Sequence, residues 1–424
     1  MKSDLIQDES VLGRNETPRS VSSTPARYRL AAIFHRPHIY FCQFFKKLAA
    51  HPDIDLTVYF YSSYGMGSTP DPELGRSLHF AESSLAGYRS LFLRNFSPRP
   101  GVGPYFAWFH PGVIPELFRE YDALIMHGWW GASSMLAYLT AFARGLPVLV
   151  HSDRNSMVEH SSGWRKWVLN WLFRPVSAFL VIGERNAAFY RQHGIPDSKM
   201  FLTPLAVDND YLTREAARLA PQRPLLRQQL GIRPQECTIL FVGRFVTEKG
   251  LPDLLAAFKE LAATRAHLVL VGDGPLGVQL KDFVASNHLQ RVHFVGSKSY
   301  EEIAAFYALA DVFVLPSKSE PWAVVLNEAM NFALPILASR QVGAADDLVK
   351  EGVNGFRFEP GDTTSLAGLL RRMAENPSLC RKMGEASIPI VHEWNFDRAT
   401  DGVLAALRSL RPRRGLRHQP PGVV

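Results

Sequence analysis

Cysteine is scarce in this chain: Cys42, Cys237 and Cys380 are the only three in 424 residues, and no two have a paired spacing. That excludes a disulfide framework and a thiolate zinc site, and fits a reducing compartment. No apolar run follows the first charges either. Residues 1–26 are polar, which predicts a disordered N-terminus without a secretory signal and a cytoplasmic protein. The stretch from Ala123 to Ala143 lacks Asp, Glu, Lys and Arg and so imitates a membrane span, yet Gly128, Gly131, Ser133 and Ser134 interrupt it. It reads better as strand, loop and buried helix. Positive charge is thinner than the net +7 suggests, because Arg408, Arg411, Arg413, Arg414 and Arg417 lie together in the last 17 residues, leaving +2 without them. Nucleic acid is therefore not an indicated partner, and residues 412–424 read as a basic, solvated tail, with attachment to anionic lipid as the other reading.

What is present is length and alternation. At 424 residues and 46% hydrophobic, the chain exceeds what one core can hold and is apolar enough for two. From Arg29, the runs LAAIFH, DLTVYFYS, DALIMH and PVLVHS alternate with helical stretches. The pattern restarts with TILFV (238–242), HLVLV (267–271), RVHFV (291–295), DVFVL (311–315) and PILA (335–338). Strands alternating with helices predict an α/β protein with two doubly wound, Rossmann-like domains facing across a cleft. The expected division is 27–211 for the first domain, 212–236 for a linker with a short helix, and 237–392 for the second domain. Residues 393–411 are expected to form a helix returning to the first domain. Ligands of such folds sit at the carboxyl ends of the strands, so function should lie in the loops there.

Three stretches of the second half carry chemistry. ILFVGRFVTEKGLPDL (239–254) is a strand, a loop with cations at Arg244 and Lys249, and a helix start. Such a loop can aim amides and two side chains at a diphosphate. LVLVGDGP, ending in Gly272 to Pro275, is by itself a tight turn. SEPWAVVLNEAM sets Glu320 and Glu328 apart; if Pro321 or Trp322 opens the helix, the two carboxylates stand about 12 Å apart by helical rise. That matches the span from a hexose to a ribose across a diphosphate. The bland alternative is a capping Glu320 and a solvated Glu328.

From about Ile239 to Leu407 the chain closely resembles the family-4 retaining glycosyltransferases with an EPWG-type loop, through VGRFVTEKG, LVGDGP, VHFVGSKSYEEIAAFYALADVFVLPS, EPWAVVLNEAM, ALPILAS and GVNGFRFEPGD. The resemblance implies the GT-B fold, a donor held mainly by the second domain, and no metal or other cofactor beyond a nucleoside diphosphate sugar, with UDP or GDP favoured. It implies that Arg244 and Lys249 neutralise the leaving diphosphate, that Glu328 accepts from the ribose and that Glu320 accepts from the hexose. Backbone from Pro321 through Trp322 and Ala323 to Val324 would approach phosphate and sugar, while Val295 and Gly296 would read the base. Ala323 stands where the family usually has glycine.

In the first half, DALIMHGWWG resembles the family's strand and His loop, placing His127 at the sugar's anomeric end as a binding group. The first loop, AAIFHRPHIYFCQF, lacks the glycine-rich turn of many relatives; Arg36 beside His35 or His38 can supply charge there, or be structural. Arg154 in HSDRNS is a candidate for phosphate or acceptor contact. PLAVDNDYL resembles the hinge-side PNGVD motif, with Ala206 for glycine. Asp208 and Asp210 have the spacing of a metal-binding pair, but this setting argues against metal. Trp164, Trp167 and Trp171, with Arg165, Lys166 and Arg174, form either a helix burying its aromatic stripe on the sheet, the favoured reading, or a membrane-surface helix.

The expected activity is hexosyl transfer with retention, metal-independent, to a glycan or lipid-linked acceptor in cell-surface polysaccharide synthesis, in the cytoplasm or at the inner face of its membrane. With no evident nucleophile, front-face chemistry is expected, in which stabilising charge on the departing diphosphate matters most. The rivals are a nucleotide-sugar epimerase, a phosphorylase and a binding subunit without turnover. No pyridoxal-binding lysine motif supports the phosphorylase, and no G-x-G-x-x-G after the opening strand supports a nicotinamide dehydrogenase.

Overall fold

Aliphatic and aromatic runs bounded by turn residues become buried parallel strands in the computed structural model, which describes residues 27–63, 70–71, 76–77, 85–98, 105–155, 163–261 and 264–410. The N-terminal 26 residues, and the tail with Arg411, Arg413, Arg414 and Arg417, lie outside the described residues.

The first sheet comprises β1 (Tyr28–Phe34), β2 (Ile54–Phe60), β3 (Arg89–Phe92), β4 (Ala123–His127), β5 (Val148–His151), β6 (Ala178–Val181) and β7 (Met200–Leu202). Its seven strands lie in the order β3-β2-β1-β4-β5-β6-β7, and every pairing is parallel. The second sheet comprises β8 (Thr238–Val242), β9 (His267–Val271), β10 (Val292–Gly296), β11 (Val312–Leu315), β12 (Ile336–Ser339) and β13 (Gly355–Phe358). Its six strands run β10-β9-β8-β11-β12-β13, again all parallel. Both sheets reverse their winding beside their first strand, at β1/β4 and at β8/β11, which is where doubly wound sheets open a crevice for ligands. The stretch from Ala123 to Ala143 is strand, loop and helix as expected, and no helix among the described residues is long and apolar enough to cross a membrane.

Residues 212–236 hold more structure than a linker with one short helix. They contain most of helix Asn209–Leu219, a single 3-10 turn and helix Arg223–Gln229. The cause is Arg227, 4% exposed. Its guanidinium donates to Asp311, to the carbonyls of Leu309 (2.8 Å) and Pro234 (3.1 Å), and to that of Glu236 (3.2 Å). Asp311 also accepts from Arg223 (2.5 Å) and from the Thr238 amide (2.8 Å), so the segment is sewn onto the start of β8.

The chain passes between the domains near Asn209 and again near Trp394, and the Asn209 side-chain amide donates to the carbonyls of Val391 (3.2 Å) and Trp394 (3.1 Å), joining the two crossings. Helix Phe396–Ser409 then lies on the first domain. It buries Val403, Leu404 and Leu407 in that core and pairs Asp397 with Lys47 at 2.8 Å.

The tryptophan stripe does not face the sheet. In helix Trp164–Phe173, Leu169 and Phe173 point inward, while Trp164, Trp167 and Trp171 are 72%, 69% and 59% exposed. The helix has apolar residues on both sides, and the side with Leu169 and Phe173 takes the core.

Arg227→Ala is expected to lower stability by about 3 kcal/mol, because it leaves the carbonyls of Leu309, Pro234 and Glu236 without this donor and removes one of the two guanidinium partners of Asp311. The check is the urea midpoint of the second domain's unfolding transition.

Candidate active site

The loop after β8 and the turn after β9 are packed backbone to backbone. The Phe245 amide donates to the Asp273 carbonyl (2.8 Å) and the Leu276 amide to the Phe245 carbonyl (3.0 Å). A side chain at Gly272 would meet the Gly243 carbonyl oxygen at 1.9 Å, which is why this turn carries glycine. The seam holds Arg244, which is exposed, and Lys249 at the carboxyl end of β8. The Lys249 ammonium pairs with Glu320, whose side chain is 13% exposed against 17% for Lys249.

Glu320 does not open a helix. It forms a bridge with Val342, and helix Val324–Asn331 begins only after Ala323. Three successive carbonyls of this loop have donors. Glu320 accepts from the Gly343 amide (2.9 Å), Pro321 from the Asn155 side-chain amide (2.9 Å), and Trp322 from the Ala344 amide (2.9 Å). A Cβ at Gly343 would stand 1.8 Å from the Pro321 oxygen. These bonds hold residues 320–322 outside the helix, with a bend at Pro321, so the helical-rise separation from Glu320 to Glu328 does not apply. Ala323 then turns the chain with φ 84°, a left-handed value that favours the glycine usual in the family.

Glu328 lies inside that helix, 2% exposed. One carboxylate oxygen accepts from the Tyr307 hydroxyl (2.6 Å) and the other from the Tyr40 hydroxyl (2.5 Å), which belongs to helix Ile39–Ala50 of the first domain. Burial raises the Glu328 carboxyl above its ordinary range, and the two hydroxyls partly offset this. Burial first, then the nearby carboxylate, raises both tyrosines, which stay protonated donors. Val295 and Gly296 end β10, the edge strand beside β9; the Gly296 carbonyl accepts from the Gly272 amide (2.9 Å), tying that edge to the glycine turn.

On the facing wall, His127 ends β4 in register with His151 of β5, their Nδ1 atoms 2.9 Å apart. His127 stacks on Phe34 at 4.8 Å. Burial holds both imidazoles below the usual histidine range, so one ring donates and the other accepts. Arg36 follows β1 in the same crevice, next to His38, which burial and then the Arg36 charge push from 6.5 to about 4. Arg154 lies beyond β5, its guanidinium 5.7 Å from the Trp129 ring, and its carbonyl accepts from Asn186 at 2.5 Å. Farther along the cleft, Arg185 pairs with Asp346 at 2.5 Å, and the Glu184 amide at a helix start donates to Asp347. Asp208 caps helix Asn209–Leu219 by accepting from the Tyr211 amide (2.8 Å). Among the described residues no group of three or more His, Cys, Asp or Glu side chains could hold a metal ion.

The structure thus brings Arg244, Lys249, Glu320, Glu328 and the loop 321–324 to the second domain's crevice, with His127, Arg36 and Arg154 on the first. Sequence reasoning missed Tyr40, Tyr307, His151 and Asn155. Only His151 left a signal, as a second histidine closing the next strand.

Two facing Rossmann-like domains with this crevice define a GT-B protein. The model of the family Glycosyl transferases group 1 matches residues 222–388. Glycogen synthase of Mycobacterium tuberculosis is 30% identical over 308 residues, covering 71% of this chain and 71% of that protein. The chain belongs to this glycosyltransferase family. An uncharacterized glycosyltransferase of Methanocaldococcus jannaschii is 31% identical over 164 residues, which cover 39% of this chain and less than half, 46%, of that relative. In fold, the chain resembles Anabaena HepE, solved in complex with UDP, with a TM-score of 0.70 at 19% identity over 91% of this chain and 100% of the other.

Ala323→Gly is expected to raise stability by about 1 kcal/mol by relieving the left-handed alanine, read as a higher thermal midpoint. His38 gives a pH signature. Its folded pKa of about 4 lies below 6.5, so the stability it confers is complete above 6.5 and is lost as pH falls towards 4. The thermal midpoint should drop across that window, and less steeply in His38→Asn.

Proposed function

We propose that the chain is a retaining, metal-independent hexosyltransferase of the family-4 type, taking its sugar from a UDP- or GDP-hexose and passing it to a glycan or lipid-linked acceptor in cell-surface polysaccharide synthesis. Residues 27–211 serve the acceptor and residues 237–392 the donor. The observation that carries this reading is the Lys249–Glu320 pair at the carboxyl end of β8, with Arg244 beside it in the sequence and the buried carboxylate of Glu328 in the helix behind.

On this reading the resting site is an ion pair waiting to be exchanged. A donor diphosphate takes Lys249 from Glu320 by offering a denser negative charge, and Arg244 adds a second cation. Glu320, released, accepts from hexose hydroxyls, and Glu328 accepts from the ribose. Val295 and Gly296 line the base, and the backbone of Pro321 to Val324 follows phosphate and sugar. His127, held neutral, offers the sugar a hydrogen bond rather than a proton, and Arg36 and Arg154 face the phosphate or the acceptor. As the glycosidic bond breaks, charge grows on the diphosphate oxygen. That oxygen takes the acceptor's proton as the acceptor oxygen bonds to the anomeric carbon from the same face, so configuration is kept. The cations favour the dissociated state over the bound donor, which is where electrostatic catalysis acts.

Release of nucleoside diphosphate from UDP-, GDP- and ADP-hexoses without added metal is the test. One donor should be hydrolysed slowly, and Lys249→Ala should slow it roughly tenfold to a hundredfold. Turnover at the unmodified rate in Lys249→Ala would remove the role given to that cation. Interconversion of the donor without release would point to an epimerase, and binding without any turnover to a sugar-nucleotide-binding subunit.

A further inference from the structure

The outward stripe of three tryptophans on helix Trp164–Phe173 is not isolated. The neighbouring helix Ala132–Ala143 packs against it, the Tyr138 hydroxyl donating to the Leu172 carbonyl at 2.5 Å, and both helices bury their inner faces in one core with Ala137, Ala141, Leu169 and Phe173. They cover the same side of the sheet, since each is a right-handed crossover between strands added in one direction, β4 to β5 and β5 to β6. The outer face of the second helix is also apolar, with Leu139 48% and Phe142 61% exposed. Two adjacent helices therefore turn large apolar side chains to solvent in one layer.

The charge on these two helices has one sign. Arg165, Lys166 and Arg174 sit among the tryptophans, exposed, and neither WRKWVLNWLF nor ASSMLAYLTAFA contains an acid. Tryptophans beside cations on an exposed helix suit the boundary between headgroups and acyl chains, where the indole is part apolar and part hydrogen-bonding. A second copy of the chain fits worse. A two-fold contact would set this patch against itself, bringing the cations of both copies together with no acid from either helix between them.

We propose that this two-helix face docks the protein on a bilayer rich in anionic lipid, the tryptophans entering the interface and the three cations facing headgroup phosphates. The face adjoins the cleft: Phe173 packs edge-on against Trp129 at 4.9 Å, and the Arg154 guanidinium lies 5.7 Å from the same Trp129 ring. Delivery of a lipid-borne acceptor to that side rests on the transferase reading; the docking itself does not.

The test is flotation of the full chain with vesicles of phosphatidylcholine alone and of equal phosphatidylcholine and phosphatidylglycerol, at low and high salt. The wild type should float with the anionic vesicles and only weakly with the neutral ones. Replacing Trp164, Trp167 and Trp171 by serine should abolish flotation without changing the thermal midpoint, since all three are already in water. Charge removal by Arg165→Gln, Lys166→Gln and Arg174→Gln should weaken binding by roughly fivefold per cation, and gives an independent reading should the serine variant fold poorly. Both variants keep the C-terminal arginines, so equal flotation of wild type and variants would assign binding to the tail and overturn the proposal. So would no flotation at all, or a dimer in solution that the serine variant splits. The assay needs no donor, so failure of the transferase reading leaves its result unchanged.

Discussion

Three consecutive peptide carbonyls, those of Glu320, Pro321 and Trp322, are each claimed by a donor from elsewhere in the molecule, and the site is arranged around that fact. The loop cannot relax into the first turn of the following helix while its oxygens are held this way. It is fixed as a non-helical rail, bent at Pro321, between the end of β11 and helix Val324–Asn331. Two of the donors are amides of the segment after β12, which must therefore approach without a side chain at Gly343. The third donor, Asn155, comes from the other domain. The same rail that shapes one wall of the crevice thus also registers where the opposite wall stands.

The two walls differ in electrical character. Histidines crowd the first domain's side, and burial keeps His38, His127 and His151 uncharged, so that wall offers hydrogen bonds and ring surface more than charge. The second wall holds a lysine already matched to a carboxylate, and behind it a buried glutamate whose oxygens are occupied by two hydroxyls. Tyr40 is the member of that trio that crosses the gap. Its hydroxyl occupies one oxygen of Glu328, so the domains meet at a group that the reading above gives to the ribose.

Much of the fold was legible because parallel strands buried on both faces read as unbroken apolar runs, and all nine segments expected as strands are strands in the structure, with ends differing by a residue or two. RVHFV and PILA each lie one residue early. Four strands of the two sheets escaped. β6 (AFLV) is a buried apolar run like those that were read, and the other three lacked that signature. β3 is half-exposed at the edge, β7 has three residues, and β13 follows a turn within a stretch that resembles a family motif, without an apolar run of its own. The onset of helix Val324–Asn331 was misplaced because distant amides decide it, and local sequence does not contain them. The orientation of the tryptophan helix was misjudged for a different reason. Its two faces are both apolar, and periodicity reports that a stripe exists without saying which stripe is inside. Tyr40 and Asn155 were invisible because their partners are more than a hundred residues away.

The side-chain amide of Asn209 gives the molecule one more property. It clasps the second passage of the chain between domains to the first, so the connection is a pair of parallel threads and not a single one. A single thread is a universal joint. Two threads fastened side by side act like the pins of a door hinge, letting the halves swing about one line while opposing twist about any other. They also provide redundancy: a nick in either passage leaves the halves still tethered by its neighbour.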